Sequence, residues 1–208
     1  MRGSFGMFPL SAVLFPGGAL SLHVFEPRYR CLLADCLAGA GEFGVVLIDR
    51  GSEVGGGDHR VGVGTVAQIT QVLGIEGGRS VVMARGSRRI GVERWLPDDP
   101  YPQAVVVDLP TEVGPADGPA IAAADAAVSQ LRSLLSELAD VPALPFDLGL
   151  PGTDEEIGWA LCELAPLGPM DRQALLAAPR LSARMDLLAE LCRAAAGDVV
   201  SMLSDDGG

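Results

Sequence analysis

Short apolar runs separated by turn residues make up the first part of the sequence. Residues 13–15 form one such run, which is interrupted by Pro16, Gly17 and Gly18, and residues 19–25 form the next. Proline presets one backbone angle of a turn, and glycine permits a positive φ. The pattern therefore predicts two strands joined by a tight connection.

The spacing of apolar positions changes to that of a helix directly after the second run. Glu26 precedes Pro27, and proline is favoured at the first helical position because its missing N–H would have no helical partner there. The apolar residues that follow lie on one helical face, at Tyr29, Leu32, Leu33, Cys36 and Leu37. Gly39 is expected to end this helix.

Four later segments have the composition of strands. They are rich in apolar and β-branched residues, are bounded by Gly and Pro, and span residues 43–48, 61–73, 80–92 and 101–109. Residues 49–60 hold four Gly residues and are predicted to form a mobile loop. A series of short strands with such boundaries favours a barrel or a sandwich.

Helical spacing dominates the second half of the sequence. Residues 110–119 mix Pro, Gly and acidic residues, as a linker does. The apolar residues after them are alternately three and four positions apart, which indicates an amphipathic helix: Ile121, Ala124, Val128, Leu131, Leu135 and Leu138. Further helices are predicted at residues 154–164, with Thr153 as a cap, at 171–176 and at 181–196.

Residues 7–30 contain four motifs in a characteristic order. They read MFPLSAVLFPGGALSLHVFEPRYR, with a short apolar strand, an LFPG turn, a second apolar strand and an EPRY helix start. This order resembles the beginning of the Lon protease N-terminal domain. Later segments also resemble that family, in its order of strands and then in its helical part: GVGTVAQITQV, GGRSVVMARGSRRIGV, PYPQAVV and DRQALLAAPRLSARMDLLAELC. The resemblance covers residues 7–192.

The resemblance implies an α+β fold with two parts. The first is an N-terminal β-rich pseudo-barrel like that of PUA domains, with one packed helix, and the second is a C-terminal α-helical bundle. With the changes in composition, it predicts a barrel subdomain over residues 7–110, a linker over 111–119, a helical subdomain over 120–197 and a disordered acidic tail over 198–208.

The same resemblance implies a function in protein quality control, as a module that binds unfolded or damaged polypeptide. Such a module needs an accessible apolar groove or patch. The candidate substrate-binding residues are Phe15, Pro16, Phe25 and Tyr29, although for each of them a place in the core or in a turn is the commoner role. A structural role is expected for six signature residues: Leu14, Gly17, His23, Glu26, Pro27 and Arg28.

All 15 basic residues are Arg, so the sequence contains no Lys. This excludes the Lys of a nucleotide-binding P-loop, the Lys of a Ser-Lys protease dyad and a Schiff-base Lys. A Lon protease needs the first two. We therefore expect a standalone relative of the Lon substrate-binding domain, one that is not an enzyme and works without ATP.

The cysteines and histidines show no arrangement for chemistry. The sequence has four cysteines, Cys31, Cys36, Cys162 and Cys192. They form no CxxC pair and have no His at metal-ligand spacing, so free, reduced thiols are expected. His23 lies in a predicted strand, and His59 lies in the predicted loop. We expect no catalytic residue, no metal and no cofactor, while an enzymatic site formed only in three dimensions stays open.

Charge differs between the two halves and suggests other partners. Residues 1–100 contain ten Arg and ten acidic residues, whereas residues 101–208 contain five Arg and seventeen acidic residues. The acidic half is a candidate docking surface for a folded partner, such as a separate protease or ATPase, which makes an adaptor the alternative function.

RNA binding is a minor alternative that the barrel part raises. Its candidate basic stripe consists of Arg79, Arg85, Arg88, Arg89 and Arg94. The net charge of −12 and the alternation of side chains along a strand disfavour nucleic acid. No segment has the roughly 18 apolar residues of a membrane span and no secretory signal pattern is present, so a cytoplasmic protein without a membrane partner is expected. The oligomeric state stays open.

Overall fold

The computed structural model describes residues 4–50, 59–75, 78–114, 117–139 and 152–205. This described part has an α+β fold with six strands and five helices. In chain order these are β1 (Phe5–Leu10), β2 (Ala19–Val24), α1 (Pro27–Ala38), β3 (Glu42–Arg50), β4 (His59–Ile75), β5 (Arg79–Leu96), β6 (Gln103–Asp108), α2 (Asp117–Ala139), α3 (Asp154–Leu164), α4 (Pro169–Ala177) and α5 (Leu181–Asp205). The chain divides into two compact units, Met1–Pro110 and Thr111–Gly208.

The strands of the first unit form one mixed sheet in the order β2-β5-β4-β3-β1-β6. Because β5 also pairs with β6, five strands close into a ring and β2 is added outside it. Residues 80–85 of β5 pair with β2, and residues 90–96 pair with β6. A three-stranded extension lies beyond the ring, and we call it the ribbon. It consists of β2, residues 79–85 of β5 and residues 69–75 of β4.

Apolar side chains fill both sides of the ring. One cluster takes a residue from each of the five ring strands, as the inside of a closed ring requires: Met7, Val46, Val66, Ile90 and Ala104. A second cluster joins α1 to the other side of the sheet and continues onto the ribbon through Leu22, Val24 and Val82. One face of the ribbon is thus part of the core.

The strand prediction for residues 13–15 is wrong. β1 lies earlier, at Phe5–Leu10, where it pairs with β3 and β6, and it forms no hairpin with β2. All three residues of the apolar run are buried, whereas successive side chains of a strand point to opposite faces. The Leu14 carbonyl accepts a hydrogen bond from the Thr65 hydroxyl at 2.6 Å, which fastens the segment as a packed loop.

The other strand predictions are confirmed as β2 to β6, with small changes in their ends. β3 continues to Arg50 and β4 begins at His59, so both ends of the predicted loop at 49–60 are strand instead. Cross-strand pairing of Arg50 with His59 explains the extension. Residues 51–58 lie outside the described residues.

Two boundaries in the second unit also differ from the prediction. α2 begins at Asp117, inside the predicted linker, where the Asp117 carboxylate accepts a hydrogen bond from the Gly114 N–H at 2.6 Å. α5 continues to Asp205, so residues 198–205 are helical where a disordered tail was expected. A glycine such as Gly197 costs a helix only about 1 kcal/mol, and no proline stops the chain there. Residues 206–208 lie outside the described residues.

Arg184 of α5 is fully buried in the second unit. Its guanidinium lies 3.5 Å from the centroid of the Trp159 ring of α3. Its Nε donates to the Leu175 carbonyl at 3.2 Å, and one Nη donates to the Ala178 carbonyl at 2.9 Å. One side chain therefore joins α3, α4 and α5. Within the described ranges, no helix is both long and apolar enough to cross a membrane.

Candidate functional site

The four candidate substrate-binding residues lie in different environments. Phe15 is fully buried and Tyr29 is 4% exposed, so neither side chain offers a surface to a ligand. Pro16 is half-buried in the turn before β2. Phe25, directly after β2, is 54% exposed. The structure therefore separates the set, and Phe25 is its accessible aromatic residue.

The buried members hold local structure in place. The Tyr29 ring stacks on Phe8 with centroids 3.9 Å apart, and the Arg28 guanidinium lies 4.6 Å from the centre of the Tyr29 ring. Glu26 accepts a hydrogen bond from Arg28 at 3.0 Å, and Pro27 occupies the start of α1. These contacts fix the beginning of the helix against the sheet.

The turn before β2 is held equally tightly. Gly17 has φ of +80°, a conformation that favours glycine, and the Gly18 N–H donates to the Phe15 carbonyl at 3.0 Å. A Cβ added to Gly86 of β5 would stand 2.1 Å from the Phe15 carbonyl oxygen, so the loop lies directly on β5. Phe15 and its neighbours thus position β2.

The ribbon has a second apolar face, which points away from α1. Register places Ser21, Met83 and Gln71 in one cross-strand row and His23, Val81 and Leu73 in the next. Leu73 is 49% exposed and Met83 is 36% exposed. Together with Phe25 these six residues make up what we call the ribbon face. It is a continuous, partly apolar surface on the strands whose other side is core.

Arginine side chains flank the ribbon face. Arg85 lies opposite Ala19, and its Nε donates to the Gly17 carbonyl at 3.1 Å, which holds the guanidinium beside the start of β2. Arg79 lies at the other end of the same segment of β5, next to Ser80, which pairs with Val24. None of the residues of the ribbon face is acidic. The surface therefore combines apolar side chains with positive charge at both ends.

The candidate basic stripe is divided by the fold. Arg88 donates to Glu42 and to Asp108, each at 2.9 Å, and the hydrogen bond that it donates to Glu42 is the main reason that its pKa is raised. Arg89 is 3% exposed and donates to the Pro110 carbonyl at 3.0 Å. With Arg85, at least three members of the stripe thus have partners within the protein, and no single surface presents all five.

The buried thiols are poor nucleophiles. Burial, with the nearby charge of Asp35, raises the pKa of Cys36 to about 11, and its thiol donates to the Glu42 carbonyl at 3.1 Å. Burial also raises the pKa of Cys162 to about 12 and that of Cys192 to about 11. These thiols are protonated near neutral pH. In the part of the chain that the structure describes, no cluster of Cys, His, Asp or Glu could hold a metal ion.

Acidic side chains are exposed on several helices of the second unit. They include Glu137 of α2, Asp154 and Glu163 of α3, and Asp186 and Glu190 of α5. Some of this charge is balanced locally, since Arg172 donates to Glu163 at 2.7 Å. Asp186 and Glu190 are one helical turn apart and form an exposed acidic pair on α5.

The family model of the ATP-dependent protease La (LON) substrate-binding domain matches residues 6–193. This chain belongs to the LON substrate-binding domain family. A substrate-binding domain recognises a ligand, so the family assignment agrees with a surface that carries exposed apolar groups. The family also accounts for the motif order at residues 7–30.

Two curated proteins are similar to about half of the chain. A LON peptidase N-terminal domain and RING finger protein of Schizosaccharomyces pombe is 27% identical over an alignment of 125 residues, and the match covers 53% of this chain and 26% of that protein. The Lon protease of Flavobacterium johnsoniae is 30% identical over 111 residues, which are 52% of this chain and 14% of that protein. The similar region is thus a small part of each relative.

Two solved structures share the fold over most of the chain. The crystal structure of a Lon N-terminal domain protein from Xanthomonas campestris has a TM-score of 0.61 and 28% identity, covering 89% of this chain and 96% of that one. The N-terminal domain of the Mycobacterium avium complex Lon protease has a TM-score of 0.63, covering 92% of this chain and 98% of that one. The sequence identity to this second structure is 17%, so the similarity shows a shared fold alone.

The prediction from sequence missed most of the ribbon face. The sequence places Leu73, Val81 and Met83 in strands but does not say which face of the sheet each side chain occupies. Arg85 is grouped there with the basic stripe. A signal was present, because apolar residues occupy both alternating sets of positions in residues 80–84. Deciding which set faces solvent required the pairing of β5 with β2 and the position of α1.

Proposed function

We propose that the ribbon face binds exposed apolar segments of unfolded or damaged polypeptides, as a recognition module of protein quality control. The observation that carries this proposal is the second apolar face of the ribbon, with Phe25, Leu73 and Met83 all substantially exposed. Membership in a substrate-binding domain family supports polypeptide as the ligand.

The magnitude of the apolar contact suits transient recognition. Covering the exposed half of a large apolar side chain contributes about 1 kcal/mol, so the three exposed residues contribute about 3 kcal/mol together. Backbone hydrogen bonds and charge pairs add to this value. The expected affinity is therefore weak, at micromolar concentrations or above, which allows a module to sample many sequences and release them.

The proposal includes a finer architecture that the family resemblance implies. We assign the ring with α1 to a PUA-like pseudo-barrel and the second unit to a helical bundle. Closure of five strands around a single apolar cluster supports the first assignment, and the packing of α2 against α5 supports the second.

Fluorescence polarisation of a labelled, reduced and alkylated lysozyme, which stays unfolded, tests the function. We expect saturable binding to the wild-type protein and at least about a tenfold loss with Phe25→Asp, because a carboxylate cannot be buried against an apolar segment without a large penalty. Met170→Asp is the matched control, since Met170 is 57% exposed on α4. A single-stranded RNA probe at the same salt concentration should not bind.

Two results would contradict the proposal. One is the absence of any binding by the wild-type protein, and the other is an equal loss with Phe25→Asp and Met170→Asp. Circular dichroism of each variant shows whether it is folded before binding is compared.

The acidic pair of α5 favours the adaptor as a second candidate function, with a separate protease or ATPase as the folded partner. Pull-downs from a lysate of the protein's own cells, with wild type and with Asp186→Asn combined with Glu190→Gln, test this role. A partner that the neutral variant loses, and that Phe25→Asp retains, would support docking through α5. A partner retained by the neutral variant would argue against it.

A further inference from the structure

The ribbon keeps two strand edges that the closed ring does not have. One is the outer side of β2, which pairs only with β5. The other belongs to residues 70–75 of β4, which pair with β5 on one side. Across the described residues, neither edge has another strand beside it. Such edges present rows of backbone N–H and C=O groups to any extended chain.

The backbone groups at the outer edge of β2 can be assigned from the ladder. The Gly86 N–H donates to the Gly18 carbonyl at 2.9 Å, and these residues are opposite each other one step before the pair Ala19 and Arg85. Hydrogen-bonded pairs alternate along an antiparallel ladder, so Leu20, Leu22 and Val24 face β5. The N–H and C=O groups of Ala19, Ser21 and His23 therefore point to the outer edge.

The same alternation relates this edge to the ribbon face. Ser21 and His23, whose backbone groups point outward, have their side chains on the ribbon face. A strand added beside β2 would place alternate side chains on that face, next to Phe25. Its side chains would then extend the apolar rows that cross β2, β5 and β4.

The edge of β2 lacks the features that usually prevent pairing. Natural edge strands are commonly protected by charged residues, proline or bulges. β2 reads ALSLHV, with no Lys, Arg, Asp, Glu or Pro, and its pairing with β5 has no register shift. The edge of β4 differs, because its pairing with β5 has a register shift between Ile69 and Gln71. The β2 edge is thus the more regular template.

We infer that the outer edge of β2 binds an extended apolar segment of an unfolded polypeptide as an added strand, with carboxylates of that segment meeting Arg85 and Arg79. This inference rests on the proposed function and specifies how the ribbon face holds its ligand. Arg85 lies beside the start of the edge, where it uses one of its five N–H donors on the Gly17 carbonyl. Arg79 lies near the other end, next to Ser80, which pairs with Val24.

Charge complementarity favours such a segment over a second copy of the chain. An acidic flank on the added strand can accept hydrogen bonds from either guanidinium. The β2 segment of a second copy offers a carboxylate at one end only, because residues 19–25 contain none and Glu26, which follows them, accepts a hydrogen bond from Arg28. The ligand is therefore an apolar, extended segment with acidic residues at its ends.

Methylation of peptide amides tests the backbone pairing directly. The probe is a labelled peptide of sequence Glu-Glu-Val-Thr-Val-Thr-Val-Glu-Glu, titrated with the wild-type protein in a polarisation assay. One derivative carries N-methyl groups on its Val amides and a second carries them on its Thr amides. Opposite residues of an antiparallel hydrogen-bonded pair have their side chains on the same face, so the Val residues that lie on the ribbon face direct their amides to β2. We therefore expect the first derivative to bind at least about tenfold more weakly and the second to keep its affinity within about twofold.

Matched proline variants test the same edge from the protein side. Ser21→Pro removes an outward N–H from β2, and proline is tolerated on strand edges. Gly74→Pro makes the corresponding change on the β4 edge. The backbone N–H and C=O groups of Met83 and Val81 face β4, where they pair with Gln71 and Leu73, so the N–H of the next residue, Gly74, points outward. We expect at least about a tenfold loss of peptide binding with Ser21→Pro and none with Gly74→Pro.

The outcomes separate this inference from the proposed function. If both methylated peptides bind as the parent does, or are weakened equally, backbone pairing is overturned while recognition by the ribbon face stands. If neither the parent peptide nor the unfolded lysozyme binds, the proposed function itself fails. Self-association that Ser21→Pro abolishes, without peptide binding, would make β2 an interface between copies and overturn the inference. Should Ser21→Pro not fold, the methylated peptides decide the matter alone.

Discussion

Both faces of the ribbon carry apolar side chains, but their surroundings are opposite. Leu22 and Val82 pack under α1 in the core, whereas Val81 and Met83, on the same strands, face solvent. An antiparallel sheet with one solvated face normally has polar residues on that face. The second apolar face adds little to folding, and this difference is why we assign the first face to stability and the second to binding.

The largest expected effect is a difference in the free energy of unfolding between variants of the two faces. Leu22→Ala should lower the free energy of unfolding by about 2–5 kcal/mol, because it leaves a cavity in the core. Met83→Ala should change it by no more than about 0.5 kcal/mol, because the side chain is exposed. Urea denaturation followed by circular dichroism measures both. Similar losses for the two variants would contradict the division into faces.

Two glycines of the ribbon region give the next comparison. Gly86→Ala should destabilise the protein by about 1–3 kcal/mol, because the new Cβ meets the Phe15 carbonyl oxygen at 2.1 Å. At Gly74 a new Cβ has no neighbour within 4 Å, so Gly74→Ala should be neutral or slightly stabilising. Thermal unfolding compares the pair. A harmless Gly86→Ala would show that the loop at Phe15 is not pressed onto β5.

Alkaline pH should weaken the packing of α1 before it affects the ribbon face. The folded-state pKa of Cys36 is about 11, above its ordinary value of 9.0, and burial with a hydrogen bond to Asp35 raises the pKa of Tyr101 to about 12 from 10.0. Both groups ionise more easily in the unfolded chain. Their contribution to stability is therefore complete below about pH 9 and is lost as the pH rises towards 11 and 12.

The absence of Lys makes this titration simple to measure. Between pH 9 and 12 the side chains that change charge are Cys and Tyr, since Arg remains protonated. We expect the urea midpoint to fall with pH more steeply in the wild-type protein than in Cys36→Ala. Equal slopes in the two proteins would remove Cys36 from this explanation.

The smallest expected effect concerns the charges that flank the ribbon face. Arg85→Gln should weaken the peptide with Glu at both ends by about two- to fivefold at low salt, and by less at high salt, because exposed ion pairs are screened. Arg94→Gln is the control, since Arg94 is exposed on the other half of β5. Equal changes in the two variants would indicate a general charge effect.

The sequence predicted the fold better than the site. Alternation, helical spacing and turn residues located most strands and helices because these signals are local. The run at residues 13–15 was misread as a strand, since its burial depends on Thr65 and Gly86, which are distant in the sequence. Among the aromatic candidates, Phe15, Phe25 and Tyr29 have the same apolar character, and nothing local distinguishes the buried rings from the exposed one.

By itself, the sequence determined which Lys-dependent sites these 208 residues cannot contain and which family the chain belongs to. A chain without Lys excludes a P-loop and a Ser-Lys dyad, and the motifs at residues 7–30 carry the family resemblance wherever they lie in space. Only the tertiary structure decided which face of the ribbon meets α1 and which strand edge stays unpaired. Burial and edge pairing depend on contacts between residues far apart in the chain, such as those of β2 with β5, and a local pattern does not contain them.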